Sequence, residues 1–467
     1  MVRRVVFTLL VLGFALSLSW AEWQQFQVGR GGSQMTTLWA GKGRNDHVER
    51  IYAACFNGHI YEFSKEHGQW VTRDIGSAPS LMTYTRLGPG RNDGVSRVYG
   101  SSNDYNVYEF TYDPVGDRWL RVCLGGGTTY MNAVVVGQGR NDGVDRVYSA
   151  DWAGHVHEFT WSGGTWVHLD LGTGGTSYLC DVAVGPGRGD GVNRVYASSY
   201  SGPLIEYSYE NGSWAIRTVG TVGVLQAVSV GKGRKASNMC DTMDHVYAGS
   251  MDGNVYEFIY RDGSWTRIHM GTTVGGVYST LALGRTESTL DEERNALYAG
   301  TDRGRVYEFT YQDNAWRMAL VGVPGVHIDG VCAGKNPDLA TDDKDLIYAA
   351  SYDSWVYGYE YDKAASGASG SDPLQAVAFA PLRNPGGPPF AFSVSVPGPA
   401  PEHLSLVIVD PAGRTLRILC DGTFSPGTHT IRWDGNDPSG RKTASGLYFA
   451  HLRTGKASAT RKFYLIR

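Results

Sequence analysis

A tryptophan that opens a short apolar segment recurs about every 50 residues through most of the chain. The recurring residues are Trp23, Trp70, Trp119, Trp166, Trp214, Trp265 and Trp316. A period of this length is typical of propellers and solenoids, because each unit can bury its apolar face only against a neighbouring unit. The repeat therefore limits the fold class before composition or charge is considered.

Each repeat contains a predicted β-hairpin, and all seven copies align without an insertion. Two examples are IYAACFNGHIYEF at 51–63 and VYGSSNDYNVYEF at 98–110, in which alternating runs flank a polar turn. One further strand precedes the hairpin and the tryptophan strand follows it, which makes four strands per unit. Four-stranded units of this kind predict propeller blades, with the first strand beside the central channel and the tryptophan strand outermost.

The two ends of the repeat region are complementary. The region starts with a lone tryptophan strand, 23–29, and its last unit supplies only three strands, ending near Tyr361. We expect the lone strand to complete the last blade, because ring closure removes exposed strand edges. The predicted class is all-β: a seven-bladed β-propeller over 22–363, closed by the N-terminal strand and followed by a small immunoglobulin-like β-sandwich.

The first 21 residues are typical of a secretory signal peptide. Arg3 and Arg4 precede a mostly apolar run, and Ser19 and Ala21 place small residues at the two critical cleavage positions. We predict cleavage before Glu22 and a secreted or outer cell-surface location. No later segment is apolar enough, over a sufficient length, to predict a membrane span.

Charge and cysteine usage exclude several function classes. The formal net charge is −4, so the sequence does not predict a nucleic-acid partner. The six cysteines have no CxxC or zinc spacing, and we expect neither a cofactor nor a metal. Export permits disulfides, but most of the cysteines are interpreted as small buried hydrophobic residues. They are Cys55, Cys123, Cys180, Cys240, Cys332 and Cys420.

Two charged series recur in register and both change in the last blade. The acidic series comprises Glu62, Glu109, Glu158, Glu206, Glu257 and Glu308. The basic series comprises Arg44, Arg91, Arg140, Arg188, Arg234 and Arg285. Blade seven has Gly358 and Lys335 at these places. We predict that each glutamate pairs with such an arginine, in its own blade or the next. A ring of catalytic acids is the weaker interpretation.

The turn after the first strand reads GRNDGVSR at 90–97 and resembles the calcium loop of integrin-type FG-GAP repeats. One ligand position is matched by Asp46, Asp93, Asp142 and Asp190. The first ligand position of the calcium loop, normally an acid, is occupied by Lys, Pro or Gln. The last ligand position, also normally an acid, is occupied by Arg50, Arg97, Arg146 or Arg194. Because calcium needs several oxygen ligands, we predict metal-free turns held by Asp–Arg contacts.

Two short motifs have simpler explanations within the repeat. Arg188-Gly189-Asp190 spells an adhesion tripeptide, but it stands where other blades have Arg-Asn-Asp, so drift of the repeat explains it. The turn at 209–214 resembles the Asp-box of sialidase-type propellers in its glycine, small residue and tryptophan. That resemblance implies a propeller and says little about hydrolytic activity.

Propellers usually bind partners at the channel mouth, where loops of all blades converge. The candidate ligand-binding residues, mostly in the hairpin turns, are Phe56, Tyr105, Trp152, Tyr200, Asp302, Arg303, Tyr352 and Trp355. Tyr84, Tyr130, Tyr178 and His327 belong to the loops that lead into the first strands. Aromatic rings beside amides and carboxylates suit sugars, and they suit peptides equally well. Packing of these rings between blades is the competing interpretation.

The repeat stops at a flexible linker, 364–373, and a different domain follows at 374–467. Predicted strands at 390–396, 404–409, 415–419, 427–433 and 447–452 indicate a β-sandwich. The tail resembles the immunoglobulin-like domain of FlgD-type hook-cap proteins and the related type IX secretion sorting domain. The resemblance lies in Asn384-Pro385, 409–414, 427–435, Gly440-Arg441, 444–449 and Arg461-Lys462. It implies contact with an export machinery.

These features favour an exported, non-catalytic propeller that binds a carbohydrate or protein partner at or near the cell surface. Two alternatives remain open. One is an extracellular glycosidase or lyase acting at the channel mouth, which needs paired acids about 5–10 Å apart or a basic cluster. The other is a purely structural surface scaffold or adhesin.

Overall fold

A computed structural model describes residues 22–234, 243–285, 295–312, 314–335, 337, 345–362, 378–381, 388–396, 400–410, 414–425, 427–437, 439–454 and 458–465. The chain divides into two compact units, Met1–Gly367 and Ala368–Arg467. The predicted signal peptide, the linker 364–373, Cys240 and Asn384-Pro385 lie outside the described residues. All regular elements of the described residues are β-strands, which confirms the all-β class.

The first unit contains seven four-stranded antiparallel sheets, six of which are consecutive in sequence. Sheet 1 is β2 (Met35–Gly41), β3 (Arg50–Cys55), β4 (His59–Glu66) and β5 (Gln69–Ser77). Sheet 2 is β6 (Met82–Gly88), β7 (Arg97–Ser102), β8 (Asn106–Asp113) and β9 (Arg118–Gly126). Sheet 3 is β10 (Met131–Gly137), β11 (Arg146–Asp151), β12 (His155–Ser162) and β13 (Thr165–Thr173).

The next three sheets repeat this order. Sheet 4 is β14 (Leu179–Gly185), β15 (Arg194–Ser199), β16 (Pro203–Glu210) and β17 (Ser213–Thr221). Sheet 5 is β18 (Leu225–Gly231), β19 (His245–Ser250), β20 (Asn254–Arg261) and β21 (Ser264–Thr272). Sheet 6 is β22 (Val277–Gly284), β23 (Ala296–Thr301), β24 (Val306–Gln312) and β25 (Ala315–Gly322).

Sheet 7 joins the two ends of the unit. Its strands are β26 (Ile328–Lys335), β27 (Asp345–Ser351), β28 (Trp355–Asp362) and, outermost, β1 (Glu22–Arg30). Strand β1 pairs with β28, with Trp23 opposite Tyr361 and Phe26 opposite Gly358. A Cβ at Gly358 would collide with the phenyl ring of Phe26. Phe26 of the closing strand therefore occupies the space that a glutamate side chain would take at this repeat position. Each first strand lies beside the next, and β26 lies beside β2.

Every recurring tryptophan packs edge-on against a tyrosine of the neighbouring sheet. The ring centroids lie 5.8–6.3 Å apart and the ring planes are 74–89° apart. The seven contacts are Trp70–Tyr348, Trp119–Tyr52, Trp166–Tyr99, Trp214–Tyr148, Trp265–Tyr196, Trp316–Tyr247 and Trp23–Tyr298. All seven tyrosines are fully buried. Each such pair adds about 0.5–1.5 kcal/mol to the burial of apolar area, so the repeat stabilises sheet-to-sheet packing.

In sheets 1–4 the recurring glutamate pairs with the recurring arginine of the same sheet. The Nε–Oε2 distances are 2.9–3.0 Å for Arg44–Glu62, Arg91–Glu109, Arg140–Glu158 and Arg188–Glu206. These glutamates are buried, and each also accepts a hydrogen bond from the hydroxyl of the buried tyrosine in the second strand of its sheet. These buried Arg–Glu pairs therefore act as structural ion pairs that connect parts of the same sheet.

Sheet 5 departs from the predicted Arg–Glu pairing. Glu257 bonds His245 Nδ1 at 2.7 Å and accepts from Trp316 Nε1 at 2.9 Å, while Arg234 donates to the Tyr311 hydroxyl. The reason is that His245 stands at the strand start where sheets 1–4 have an arginine. In sheet 6, Glu308 accepts from the Tyr298 hydroxyl. The backbone N–H of Arg285 donates to Asp345.

The turns after the first strands contain the Asp–Arg contacts that the sequence predicts. The pairs Asp46–Arg50, Asp93–Arg97, Asp142–Arg146 and Asp190–Arg194 have N–O distances of 2.6–2.8 Å. Both charged residues of the adhesion-like tripeptide are therefore committed to internal pairs, Arg188 with Glu206 and Asp190 with Arg194.

The second unit consists of two sheets that share one apolar core. One contains β29 (Ala378–Pro381), β30 (Phe390–Val396) and β33 (Gly427–Trp433). The other contains β31 (Glu402–Val409), β32 (Thr415–Phe424), β34 (Gly446–Thr454) and β35 (Ser458–Leu465). Trp433, Phe392 and Leu406 are buried between them. Strands β29 and β35 were not predicted, and β32 continues beyond the predicted end at residue 419.

Candidate functional site

One residue near the start of every first strand lies at a break in the strand register. In sheet 2, Met82 pairs with Ser102 and Tyr84 with Ser101, which leaves Thr83 without an opposite residue. Bulges of this kind turn a side chain away from the regular alternation. The equivalent residues, here called the floor ring, are Thr36, Thr83, Asn132, Cys180, Gln226, Tyr278 and Asp329. All seven line one pocket.

The wall of this pocket is built by two sets of loops that hydrogen bond to each other. The first residue of the hairpin turn donates its backbone N–H to a carbonyl of the loop that leads into the first strand. Examples are Trp152 to Tyr130 at 3.1 Å and Tyr200 to Tyr178 at 2.9 Å. The same bond recurs for Phe56, Asn103, Met251, Asp302 and Tyr352. The repeat therefore places both groups of candidate aromatic residues at the same end of the channel.

Five aromatic side chains form a continuous arc along sheets 2–4, here called the aromatic arc. Its members in order are Tyr105, Tyr130, Trp152, Tyr178 and Tyr200. Successive ring centroids are 5.3–6.4 Å apart, and each residue is 36–48% exposed. Five neighbouring aromatic residues that remain this exposed form an apolar surface that the fold itself does not cover.

A second aromatic group lies on the opposite side of the mouth. Tyr352 stacks on His327, with centroids 4.1 Å apart and planes within 7°, and it also contacts Phe56. Its hydroxyl donates to the buried Asp329 carboxylate at 3.4 Å. Burial raises the pKa of Tyr352, and the neighbouring Asp329 charge raises it further. Tyr352 is therefore neutral, with its hydroxyl hydrogen directed at an acid.

The pocket between these groups has a volume of about 440 Å³, within the range of small-molecule sites. Besides the floor ring, it is lined by Phe56, Tyr84, Trp152, Tyr178, Tyr200 and Tyr352. Aromatic faces thus surround a base of hydroxyl, amide and carboxylate groups. Such a site can stack on a flat apolar face of a ligand and hydrogen bond its polar edges.

A buried polar cluster closes the channel further along the first strands. Asp181 accepts from the backbone N–H of Val182 at 2.8 Å and of Val228 at 2.9 Å, and from the Tyr84 hydroxyl. Tyr84 belongs to sheet 2 and Asp181 to sheet 4, so their bond crosses the channel, whereas Val228 belongs to the adjacent sheet 5. Burial raises the pKa of Asp181 to about 6, although Arg86 and the Tyr84 hydroxyl act in the opposite direction.

Arg86 completes this closure with its guanidinium group. The group lies 4.6 Å from the ring centre of Tyr84 and 4.3 Å from that of Trp39. Arg86 and Tyr84 are buried, at 6% and 1% exposure. The cation is therefore held between aromatic faces, an arrangement that stabilises a desolvated guanidinium.

Four of the eight candidate ligand-binding residues line the pocket: Phe56, Trp152, Tyr200 and Tyr352. Tyr105 lies at the outer end of the aromatic arc. Asp302 accepts from the Gly276 backbone N–H at 3.0 Å, and Arg303 beside it is 70% exposed.

Trp355, another of the eight candidates, packs within the fold and does not face the pocket. It packs against the apolar core shared by sheets 6 and 7 and does not line the pocket. It starts β28 opposite Arg30 of β1, so the closing strand fixes its position.

The floor ring is what sequence reasoning missed. Its signal was present, because the seven residues share one repeat position directly after an apolar residue. Their variety, from threonine to cysteine to aspartate, hides them in a search for recurring residue types. In addition, the bulge that directs them into the pocket exists only once the strands pair.

A histidine–aspartate group supports the turn that carries Trp152. Asp151 accepts from the His155 backbone N–H at 2.8 Å and bonds His157 Nε2 at 3.2 Å. His157 Nδ1 in turn lies 3.0 Å from His168 Nε2. Within the described residues, no group of three His, Cys, Asp or Glu side chains is arranged to hold a metal ion. These contacts therefore anchor the turn.

Comparisons with known proteins agree with both units. Residues 382–458 match the family model described as FlgD Ig-like domain. The crystal structure of the WD40 β-propeller domain of Doa1 aligns with a TM-score of 0.52 at 13% identity, covering 73% of this chain and 97% of that domain. No curated protein matches. The described residues form no helix able to cross a membrane. The chain thus combines a propeller fold with a C-terminal FlgD Ig-like domain.

Proposed function

We propose that this chain is an exported, non-catalytic binding protein whose propeller recognises a carbohydrate or protein partner at or near the cell surface. One observation carries the proposal: the exposed aromatic arc borders a pocket of about 440 Å³ at the channel mouth. Propeller folds serve many functions, so the support comes from this site and not from the fold.

The composition of the pocket favours binding over hydrolysis. A glycosidase of the usual kind needs two carboxyl groups on opposite sides of the scissile bond. Asp329 is the one carboxylate among the pocket-lining residues in the described part of the chain. It already accepts a hydrogen bond from the Tyr352 hydroxyl. Asp151, the nearest acidic residue to Trp152 in sequence, is 1% exposed and bonded to His157.

Export and surface location rest on two features of the sequence. The first 21 residues are typical of a signal peptide, and the motifs of the tail resemble those of type IX secretion sorting domains. In this proposal the second unit contacts the export machinery, and the propeller presents its mouth outside the cell.

Binding of the full chain to glycan and peptide arrays tests the proposal. We expect retention of at least one ligand, and Trp152→Ala should weaken it at least tenfold, about 1.4 kcal/mol. Leu320→Ala is the control, because Leu320 is 49% exposed on β25, the outer strand of sheet 6, and belongs neither to the pocket lining nor to the aromatic arc. Turnover of a bound glycan would establish the enzyme alternative. Absence of any ligand would leave the scaffold alternative.

A further inference from the structure

The channel mouth is a blind pocket with neutral walls, and this geometry limits what can enter it. Building on the proposed function, we infer that the pocket binds the terminal residue of a neutral glycan. Of the two partner classes in the proposed function, the pocket thus takes the carbohydrate, and the sugar enters by its chain end.

The closure of the channel determines that the ligand enters by its end. Tyr84 forms part of the pocket lining, and its hydroxyl bonds the fully buried Asp181 on the other side of the channel. The buried guanidinium group of Arg86 lies against the Tyr84 ring and against the Trp39 ring. A polymer cannot pass through this cluster, so an internal segment of a chain has no exit. Only a terminal unit or a short branch reaches the floor ring.

The charge of the lining determines that the terminal unit is neutral. No lysine or arginine lines the pocket in the described part of the chain, so a uronate, sulfate or phosphate group has no cationic partner there. The one acidic lining residue is Asp329, which lies 3.7 Å from His327 Nε2 and accepts a hydrogen bond from the Tyr352 hydroxyl, so its carboxylate accepts from hydroxyl groups. Desolvating a charged ligand without a partner is strongly unfavourable, whereas a neutral polyol requires only hydrogen bonds.

The remaining floor ring supplies those hydrogen bonds. The Asn132 side-chain N–H donates to the Leu179 carbonyl at 2.8 Å, which fixes the amide and leaves its oxygen as an acceptor. The Gln226 amide forms no hydrogen bond with the described residues and can both donate and accept. Trp152 and Tyr178 stand at 84° to each other, so one ring can stack on a sugar face while the other meets its edge.

A peptide matches these features less well. Extended peptides usually bind along a sheet edge or a groove, where main-chain groups find partners in sequence. A blind pocket accepts one side chain, and the other residues of the peptide would lie on the rim. An aromatic wall around a polar floor instead matches the alternating apolar faces and hydroxyl edges of a pyranose.

The test is an array that carries neutral oligosaccharides of glucose, mannose, galactose and xylose, the corresponding uronate oligomers, and peptides, probed with the full chain. We expect binding to a neutral oligosaccharide at least tenfold tighter than to its uronate analogue. The free monosaccharide of the terminal unit should compete. Gln226→Leu should weaken binding at least tenfold, and Gln69→Leu, on the outer strand of sheet 1, should not.

The possible outcomes separate this inference from the proposed function. Peptide binding that depends on Trp152, without glycan binding, overturns the inference and leaves the proposed function intact. Equal binding of uronates, or glycan binding that no monosaccharide displaces, also overturns the inference. Binding that is unaffected by Trp152→Ala, or no binding at all, overturns both. Monosaccharide competition needs no variant, so a folding defect in Gln226→Leu does not affect that result.

Discussion

The indole ring of Trp23 stands edge-on to the ring of Tyr298, with centroids 6.0 Å apart and planes at 86°. Trp23 lies in the first strand of the described chain and Tyr298 in sheet 6. The contact therefore connects the beginning of the propeller to its sixth sheet through sheet 7, as six equivalent pairs do for the other sheets. Trp23 also meets Tyr361, its partner across β1 and β28, at 5.2 Å.

Trp23→Ala should lower the free energy of unfolding by about 2–4 kcal/mol, because it removes a partly buried aromatic residue from the strand that closes the ring. Urea unfolding measures this change, and hydrogen exchange should show faster exchange along β28. Leu320→Ala, at a 49% exposed site on β25, is the control and should change stability by less than about 0.5 kcal/mol. Equal effects of the two variants, with β28 still protected, would show that β1 does not hold the ring closed.

Glu109→Gln should destabilise the protein by about 3–5 kcal/mol, because Arg91 and Arg97 lose a fully buried carboxylate. Glu66→Gln is matched in chemistry but breaks a pair with Arg73 in which both side chains are 38–39% exposed. Its expected effect is at most about 1 kcal/mol. Urea unfolding of both variants measures the difference. Similar values for both would contradict the burial argument.

Asp181→Asn should change the pH dependence of stability. The folded-state pKa of Asp181, about 6, lies above its ordinary value of 3.8 because of burial. The stabilisation from the protonated form is therefore present below about pH 3.8 and lost as the pH rises through 6. The stability of the variant relative to wild type should rise by about 3 kcal/mol across that window.

Asp93→Asn provides a control of opposite sign for this experiment. A hydrogen bond from Arg97 lowers the pKa of Asp93 to about 2, so its stabilisation is lost as the pH falls through that value. Because Asp93 is 44% exposed, we expect a change below about 1 kcal/mol. Thermal unfolding between pH 1.5 and 8 measures both variants, because the lower limit has to reach the folded-state pKa of Asp93. A flat difference curve for Asp181→Asn would show that the carboxyl does not titrate in the folded channel.

Asn92 bridges neighbouring sheets from a left-handed backbone conformation. Its φ is 58°, its amide N–H donates to the Asp145 carbonyl at 2.9 Å, and its oxygen accepts from the Asp145 N–H at 2.6 Å. Asn92→Gly keeps the backbone unstrained and removes both bonds, so we expect a loss of about 1–3 kcal/mol in urea unfolding.

Asn211→Gly is the matched control, because Asn211 also has a positive φ, of 51°, but makes no side-chain hydrogen bond within the described residues. Its effect should be a few tenths of a kcal/mol. If both variants lose the same amount, the cost belongs to glycine itself and not to the bridge between sheets.

Much of the pairing in sheets 1–4 could be predicted, because the residues that pair recur in register. Arg91 with Glu109 and Asp93 with Arg97 lie within one unit, at separations that each copy repeats. The Asn92 bridge could not be predicted, because it connects two units through backbone groups that have no signature in the sequence. The packing of Trp355 against the core of sheets 6 and 7 could not be predicted either, because it depends on the pairing of β1 with β28.

The sequence by itself determined the repeating strands, the all-β class, the completion of the last sheet by the first strand and the identity of the C-terminal domain. The strands, the class and the closure follow from local alternation and from a period that every copy reinforces, whereas the C-terminal domain was inferred from its resemblance to FlgD-type domains. Only the tertiary structure decided which side chains share the channel mouth, because a break in the register of each first strand directs residues of six different types into one pocket. It also closed the channel, since Tyr84 and Asp181 meet across sheets whose relative position depends on the curvature of the whole ring.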